Sequence, residues 1–396
     1  MFNVSKTLGL TRKLVLLALV ALGGSFIYVQ TAHVLNMLGT GKVYVNVNTT
    51  SCRQIGHGVL RGCEDIVVDP HTGLAYLACG SLAPRQHWLH PDDEYDFIHE
   101  SETDHVYVMG EDDSYTEIRL LEPSADGGNA AFSQDLRVHG FDIFWDSDDP
   151  QRMTFMFVNH QLDHDAVSIF SYISGSDHML HLETVKSELL WSANNIVAMS
   201  HREFYATNDM RFPRGIMREV SSNLRLADGH VVYRNHSGHF SVAASNIRYP
   251  NGIARHQDQI YVASCTDPGI QIYRPGEGGR LDYQGRVIYN DGIPDNLFAD
   301  PLNGQIYSTM FLKVRETHKF FKHPSLDTTK EAGTKLLRFT RRSNSSQDFD
   351  IESLLIDSGE LMPTATIAAV QRRNQIQRLL VGCVMCNFLV VCDGVI

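Results

Sequence analysis

At 396 residues the chain is long for one domain, yet propellers and barrels stay undivided at this size, so length does not force a split. Hydrophobic residues at 43% and charged residues at 20% suit a globular protein with a sizeable core. A formal charge of −12 argues against a nucleic-acid partner, whose phosphates need a basic face, and it suits the binding of a hard cation.

Lys6, Arg12 and Lys13 precede an apolar run from Leu14 to Val29, broken by Gly23, Gly24 and Ser25. This is a positive n-region followed by a hydrophobic segment of signal-peptide length. It falls short of the roughly 20 residues of a full membrane span. Residues 1–30 are therefore read as a signal peptide or an N-terminal signal-anchor helix, with Ala21-Leu22-Gly23 as a small-residue cleavage site. Residues 31–396 form one exported domain, secreted or held on the lumenal or extracellular side, with membrane association through the N-terminus. In that compartment Asn48, Asn235 and Asn344 open N-glycosylation triplets, a pattern also common by chance.

The seven cysteines are Cys52, Cys63, Cys79, Cys265, Cys383, Cys386 and Cys392, an odd number that leaves at least one thiol free or paired between chains. Cys383 and Cys386 have redox or zinc-site spacing, but no second Cys or His pair lies near, so they read as buried strand cysteines. Pairing Cys52 with Cys392 would close a very long loop and fasten a circular fold.

After residue 43 the signals are strongly β: short apolar runs punctuated by Gly, Pro, Asn and Asp. One pattern returns six times, in which polar residues open a short apolar strand, a turn follows, and a second strand ends in small residues. Glu64-Asp65, His139-Gly140, Asn194-Asn195, Asn251-Gly252, Asp295-Asn296 and, more weakly, Thr364-Ala365 open the six copies. Each predicts a β-hairpin, two of them with a D-P-x-x-G turn at Asp69 and Asp300. The repeat predicts an all-β, six-bladed β-propeller, with long loops at 88–104 and 311–331; a β-sandwich with long loops is the structural alternative.

In a propeller the innermost strand of each blade lines the central channel. The polar residues that open those strands then meet at one end of it. This gathers Glu64, Asp65, His139, Asn194, Asn195, Asn251, Asp295 and Asn296 around one axis. Desolvating so many polar groups is costly, and a divalent cation resolves the cost. Carboxylate and carboxamide oxygens are calcium ligands, whereas zinc would want more His or Cys. His160 follows the second strand of the His139 hairpin and is a candidate hydrogen-bond partner for it.

These residues, in this order, resemble the paraoxonase/arylesterase family. The motifs are Glu64-Asp65, His139-Gly140, Asn194-Asn195-Ile196-Val197, Phe204 to Asp209, Asn251-Gly252-Ile253 and Asp295-Asn296. The resemblance spans about residues 40 to 396 and is that of a distant member, of the kind fungi carry. It implies two calcium ions: a catalytic one held by Glu64, Asn194, Asn251, Asp295 and Asn296, and a structural one held by Asp65, Asn195 and a carbonyl at Phe141. It also implies His139 as the base that activates water, His160 as its partner, and a Cys52–Cys392 disulfide. The chain departs from the family at Asn195, where an Asp is expected, at Phe311, where a His often lines the pocket, and across 210–248, the active-site cover.

The chemistry implied is hydrolysis of lactones or aryl esters, small lipophilic molecules. Calcium would polarise the carbonyl, and the base would be His139 or a carboxylate such as Asp295. No G-x-S-x-G is present, which argues against a serine esterase. Two further readings compete: a gluconolactonase- or strictosidine-synthase-like propeller enzyme, and a non-catalytic propeller in which calcium is purely structural.

Overall fold

The computed structural model describes residues 38–82, 85 and 103–396, except 162–163, 214, 268, 290, 323–331, 343–347 and 374–375, with scattered positions between 21 and 36. The chain is all-β, in several sheets. Three sheets are four-stranded antiparallel units taken in chain order from Ala193, Pro250 and Ile293. A larger sheet joins two such units, 65–123 and 138–186, through a parallel contact between Tyr115–Pro123 and His178–Lys186.

The last sheet closes the fold. Its strands Ile367–Arg373, Ile376–Gly382 and Leu389–Asp393 take their fourth partner from the other end of the chain, Cys52–Ile55. Cys52 lies opposite Cys392, and the two are joined by a disulfide. The inner strands Asp65–Val68, Val138–Trp145, Ala193–Ala198, Pro250–His256, Ile293–Ala299 and Ile367–Arg373 touch one another in turn, and the last returns to the first. The architecture is propeller-like.

The residue pattern explains the stacking. In Arg152–His160, Met153, Phe155 and Phe157 pack with Tyr76, Phe141 and Phe170 on one side. Met156 and Val158 on the other face pack with Val167, Ile196 and Phe204. A strand with a neighbouring sheet on each face is apolar on both, which is why these strands read as continuous runs. Burying each such side chain contributes about 1.5–3 kcal/mol. The D-P-x-x-G turns close with the Gly73 N–H donating to the Asp69 carbonyl (2.9 Å) and Gly304 to Asp300 (2.9 Å). That is one residue wider than a four-residue turn, and Gly73 and Gly304 take the positive φ it requires.

Three expectations are corrected. Among the described residues no helix is long and apolar enough to cross a membrane, against the expectation of an N-terminal signal-anchor helix. The described helical positions after residue 20 include Gly23, Gly24, Ser25 and Thr31, which interrupt the apolar run; Leu14 to Val20 lie outside the described residues. Cys383 and Cys386 are not separate strand cysteines but flank a turn and bond to each other. The loop expected at 311–331 contains the helix Val314–Lys322, whose Phe320 is buried in the core. The region 210–248 likewise holds a helix, Ile216–Asn223, and most of 88–104 lies outside the described residues.

A third disulfide links Cys63 to Cys79, and Cys265 is free and buried. Three disulfides point to an exported protein, because reducing compartments do not sustain them. Asn48 is exposed and its amide donates to the Leu354 carbonyl (2.8 Å); Asn235 accepts from Ser237 (2.9 Å) in a turn; Asn344 is outside the described residues.

Candidate active site

Four inner strands carry the same irregularity at the same place. Pairing skips between Val138 and Phe141, Ala193 and Ile196, Pro250 and Ile253, and Pro294 and Leu297. The skipped residues are His139-Gly140, Asn194-Asn195, Asn251-Gly252 and Asp295-Asn296. A β-bulge frees two residues from the ladder and re-aims their side chains. Here each bulge presents a polar residue at the centre of the ring, with Glu64-Asp65 joining from the first strand.

All eight polar residues are buried. The Asn195 amide nitrogen donates to Asp65 Oδ2 (3.2 Å) and Asn296 Oδ1 (2.8 Å). The Asn296 amide in turn donates to Glu64 Oε1 (3.1 Å). Thr366, the residue before the sixth inner strand, donates to the Glu64 carbonyl (2.9 Å), and Thr207 donates to the Asn251 carbonyl (2.7 Å). The structure thus joins residues from every unit into one cluster.

The cluster divides in two. Asp65 Oδ1 accepts from the Ile66 N–H (2.9 Å), and Oδ2 accepts from the Phe141 N–H (3.1 Å) and Asn195. Asn195 Oδ1 accepts from the Ile196 N–H (2.7 Å). Every side-chain oxygen of Asp65 and Asn195 therefore has a donor. By contrast Glu64 Oε2, Asn194 Oδ1 and Asn251 Oδ1 are buried oxygens without a hydrogen-bond partner. Burial, then the neighbouring Asp295 and Asp65, pushes Glu64 well above the usual carboxylate range; burial pushes Asp295 well up too. Burial raises Asp65 to about 7.

Unsatisfied oxygens and crowded carboxyls are a poor arrangement unless a cation completes it. Among the described residues no group of three or more His, Cys, Asp or Glu side chains has metal-binding geometry. The donors here are mixed carboxylates and carboxamides, a set that fits a hard cation. Glu64, Asn194 and Asn251 offer oxygens with no hydrogen-bond donor, whereas those of Asp65, Asn195 and Asn296 already accept from N–H groups.

His139 Nδ1 and His160 Nε2 lie 2.9 Å apart, and His139 Nε2 is 3.7 Å from Glu64 Oε1. Burial, then His160, Arg85 and Arg218, push the His139 pKa well below its ordinary value, which keeps the ring neutral. Three contributors were not singled out from the sequence. Asp165 Oδ1 is 2.6 Å from His160 Nδ1, and its Oδ2 accepts from the Ala193 N–H (2.7 Å). Asp104 accepts from the Val138 N–H (2.7 Å) and pairs with the buried Arg85 (2.9 Å), bracing the strand that carries His139. Only Asp165 was findable: it stands directly opposite His160 across a tight hairpin.

The helix Ile216–Asn223 is tied to the strands beside the site. Its Arg218 grips Asp209 through two bonds (2.6 and 3.0 Å), donates to Ser192 (3.1 Å) and stacks over Tyr249. Phe311 and Tyr249 each pack against the buried Cys265 and Ile293, an apolar group two residues from Asp295 in sequence.

A propeller-like fold thus gathers buried carboxylates, carboxamides and a histidine pair where its inner strands meet. A family model described as Arylesterase matches residues 94–393, and the chain belongs to that family. Serum paraoxonase/arylesterase 2 of Canis lupus familiaris is 31% identical over 274 residues, covering 68% of this chain and 72% of that protein. The protein of the same name from Homo sapiens is 31% identical over 275 residues (69% and 72%). Serum paraoxonase/lactonase 3 of Oryctolagus cuniculus is 28% identical over 296 residues (74% and 78%). A solved luciferin-regenerating enzyme covers 88% of this chain and 96% of its own at 13% identity and a TM-score of 0.49, too low a likeness to carry an argument. The chain is thus a hydrolytic enzyme of the esterase/lactonase type.

Proposed function

We propose that this chain hydrolyses lactones and aryl esters, with residues 31–396 forming a six-bladed propeller that holds calcium on its axis. One observation carries the reading: three unpartnered buried oxygens, on Glu64, Asn194 and Asn251, stand beside His139, whose Nε2 is 3.7 Å from Glu64. Glu64, Asn194, Asn251, Asp295 and Asn296 would hold the ion. When bound, it would supply Lewis-acid polarisation of the substrate carbonyl and stabilise negative charge on its oxygen.

The chain's own residues do the proton work. His139 takes a proton from water as the water oxygen bonds to the carbonyl carbon. The bond from that carbon to the leaving oxygen breaks, and the alkoxide takes the proton back from His139. Burial favours the base because it keeps the ring uncharged before reaction. His160 holds the ring in place, the Arg218–Asp209 clamp holds the helix Ile216–Asn223, and the apolar group around Phe311 suits a lipophilic substrate. His139→Gln and His160→Gln should each lower kcat by about 10²–10⁴-fold while calcium binding persists. Full activity in the double variant would rule out the histidine pair and leave Asp295 as the candidate base.

The Asp65–Asn195 set favours a second reading in one respect. With its oxygens satisfied by N–H donors and with Asn195 neutral, it suits an enzyme with one ion, as in the gluconolactonase-like alternative. Calcium counted on the purified protein decides: one ion per chain supports the single-site form, and two support the full paraoxonase-like arrangement. A calcium-loaded, folded protein that cleaves no ester or lactone would make it a binding module instead.

A further inference from the structure

We propose that Asp165 is the positioning residue of the histidine pair, turning two rings into an Asp165–His160–His139 chain with a fixed direction. The proposal rests on the hydrolase reading above, in which His139 is the base.

The geometry starts from a hairpin. His160 ends one strand, Asp165 begins the next, and the two are paired directly across the turn. Asp165 Oδ1 lies 2.6 Å from His160 Nδ1. Its other oxygen, Oδ2, takes the Ala193 N–H at 2.7 Å, so it also reaches the strand that carries Asn194. Both side chains of the Asp165–His160 pair are largely buried, at 12% and 14% exposure, so water competes weakly for either contact.

A carboxylate can only accept hydrogen bonds, so the His160 proton stays on Nδ1. His160 Nε2 is then a lone pair, and it faces His139 Nδ1 at 2.9 Å. His139 must donate from Nδ1, which leaves its own lone pair on Nε2, the nitrogen on the Glu64 side. Without Asp165 the chain could run either way; the reverse direction puts a proton on His139 Nε2, where the base is needed. In the reaction His139 Nε2 takes the water proton and later returns it to the departing alkoxide. Asp165 gains no proton at any point; it offsets the charge two rings away, and the starting tautomers are restored when the alkoxide leaves.

A plainer role is that Asp165 only holds the Ala193 N–H and thereby the ligand strand. Asp165→Asn separates the two. The Ala193 N–H would keep the amide oxygen, and the NH₂ would face His160 Nδ1, reversing the chain. In the calcium-loaded full chain, kcat for an aryl ester should fall about 10²-fold or more, with KM and calcium stoichiometry unchanged. In a His160→Gln background the same substitution should change kcat by less than about 2-fold, since the pair acts as one unit. ¹⁵N shifts of labelled histidine should place the His160 proton on Nδ1 in the wild type, a readout that needs no variant to fold.

Three results would overturn the proposal: a wild-type His160 protonated on Nε2 alone, an unchanged kcat in Asp165→Asn, or an equal loss in the His160→Gln background with weakened calcium binding. A wild-type kcat in His160→Gln alone would remove the histidine pair itself. That outcome refutes the underlying mechanism rather than only the role of Asp165.

Discussion

Gly140 and Gly252 show how narrow the ring is. A Cβ on Gly252 would lie 2.5 Å from the Asn296 Cα and 2.7 Å from the Leu297 nitrogen, both backbone atoms that cannot swing aside. On Gly140 it would meet Asn195 at 2.5 Å. Gly252→Ala should cost about 1–3 kcal/mol by overpacking and lower activity through Asn251. Urea unfolding and kcat measure both, and a neutral result would mean that the inner strands can part. Asn195→Asp should add a second calcium per chain, counted by elemental analysis; an unchanged count would contradict the account of the saturated site. The ligand-type residues were legible in the sequence because each opens its copy of the repeat at the same phase. Arg85 and Asp104 were not, because they lie off the repeat and act only through the strand they brace.

Among elements, the bulges are what convert a repeated dipeptide into a site. The hairpins were readable from apolar runs and turn residues, but the two-residue skips follow from how six strands crowd one axis. The helices Ile216–Asn223 and Val314–Lys322 were missed because each is short and lies in a stretch rich in charged and polar residues. The segment before the first strand shows a different control. Asp291 accepts from Lys42 (2.9 Å) and Lys335 (2.7 Å), and Val47 bridges to Ile356. Partial burial opposes the Asp291 charge, but bonds from Lys335 and Lys42 outweigh it and hold its pKa below the ordinary value. A depressed folded pKa stabilises above the unfolded value and is lost as pH falls through the folded one. Because Asp291 is 42% exposed, solvent screening limits the effect. Asp291→Asn should cost under about 1 kcal/mol at neutral pH, and the gap should close below pH ~4. A gap that persists into acid would show that the contact is not ionic.

For the whole molecule, the ends matter most. Strand Cys52–Ile55 completes the last sheet from the far end of the chain, and the Cys52–Cys392 disulfide secures it across a separation of 340 residues. Replacing both cysteines by Ala should cost about 2–5 kcal/mol. Denaturant unfolding checks this, and no loss would mean that strand pairing alone holds the ring shut. The site depends on that closure, because Glu64 and Thr366 meet across the junction between the first and last units. The central claim is that hydrolysis depends on a cation held by this cluster. Its most direct test is hydrolysis of phenyl acetate and a set of aliphatic lactones before EDTA, after EDTA, and after calcium is restored. Activity that is lost with EDTA and returns with calcium is the predicted result; activity that survives EDTA in calcium-free protein would contradict it.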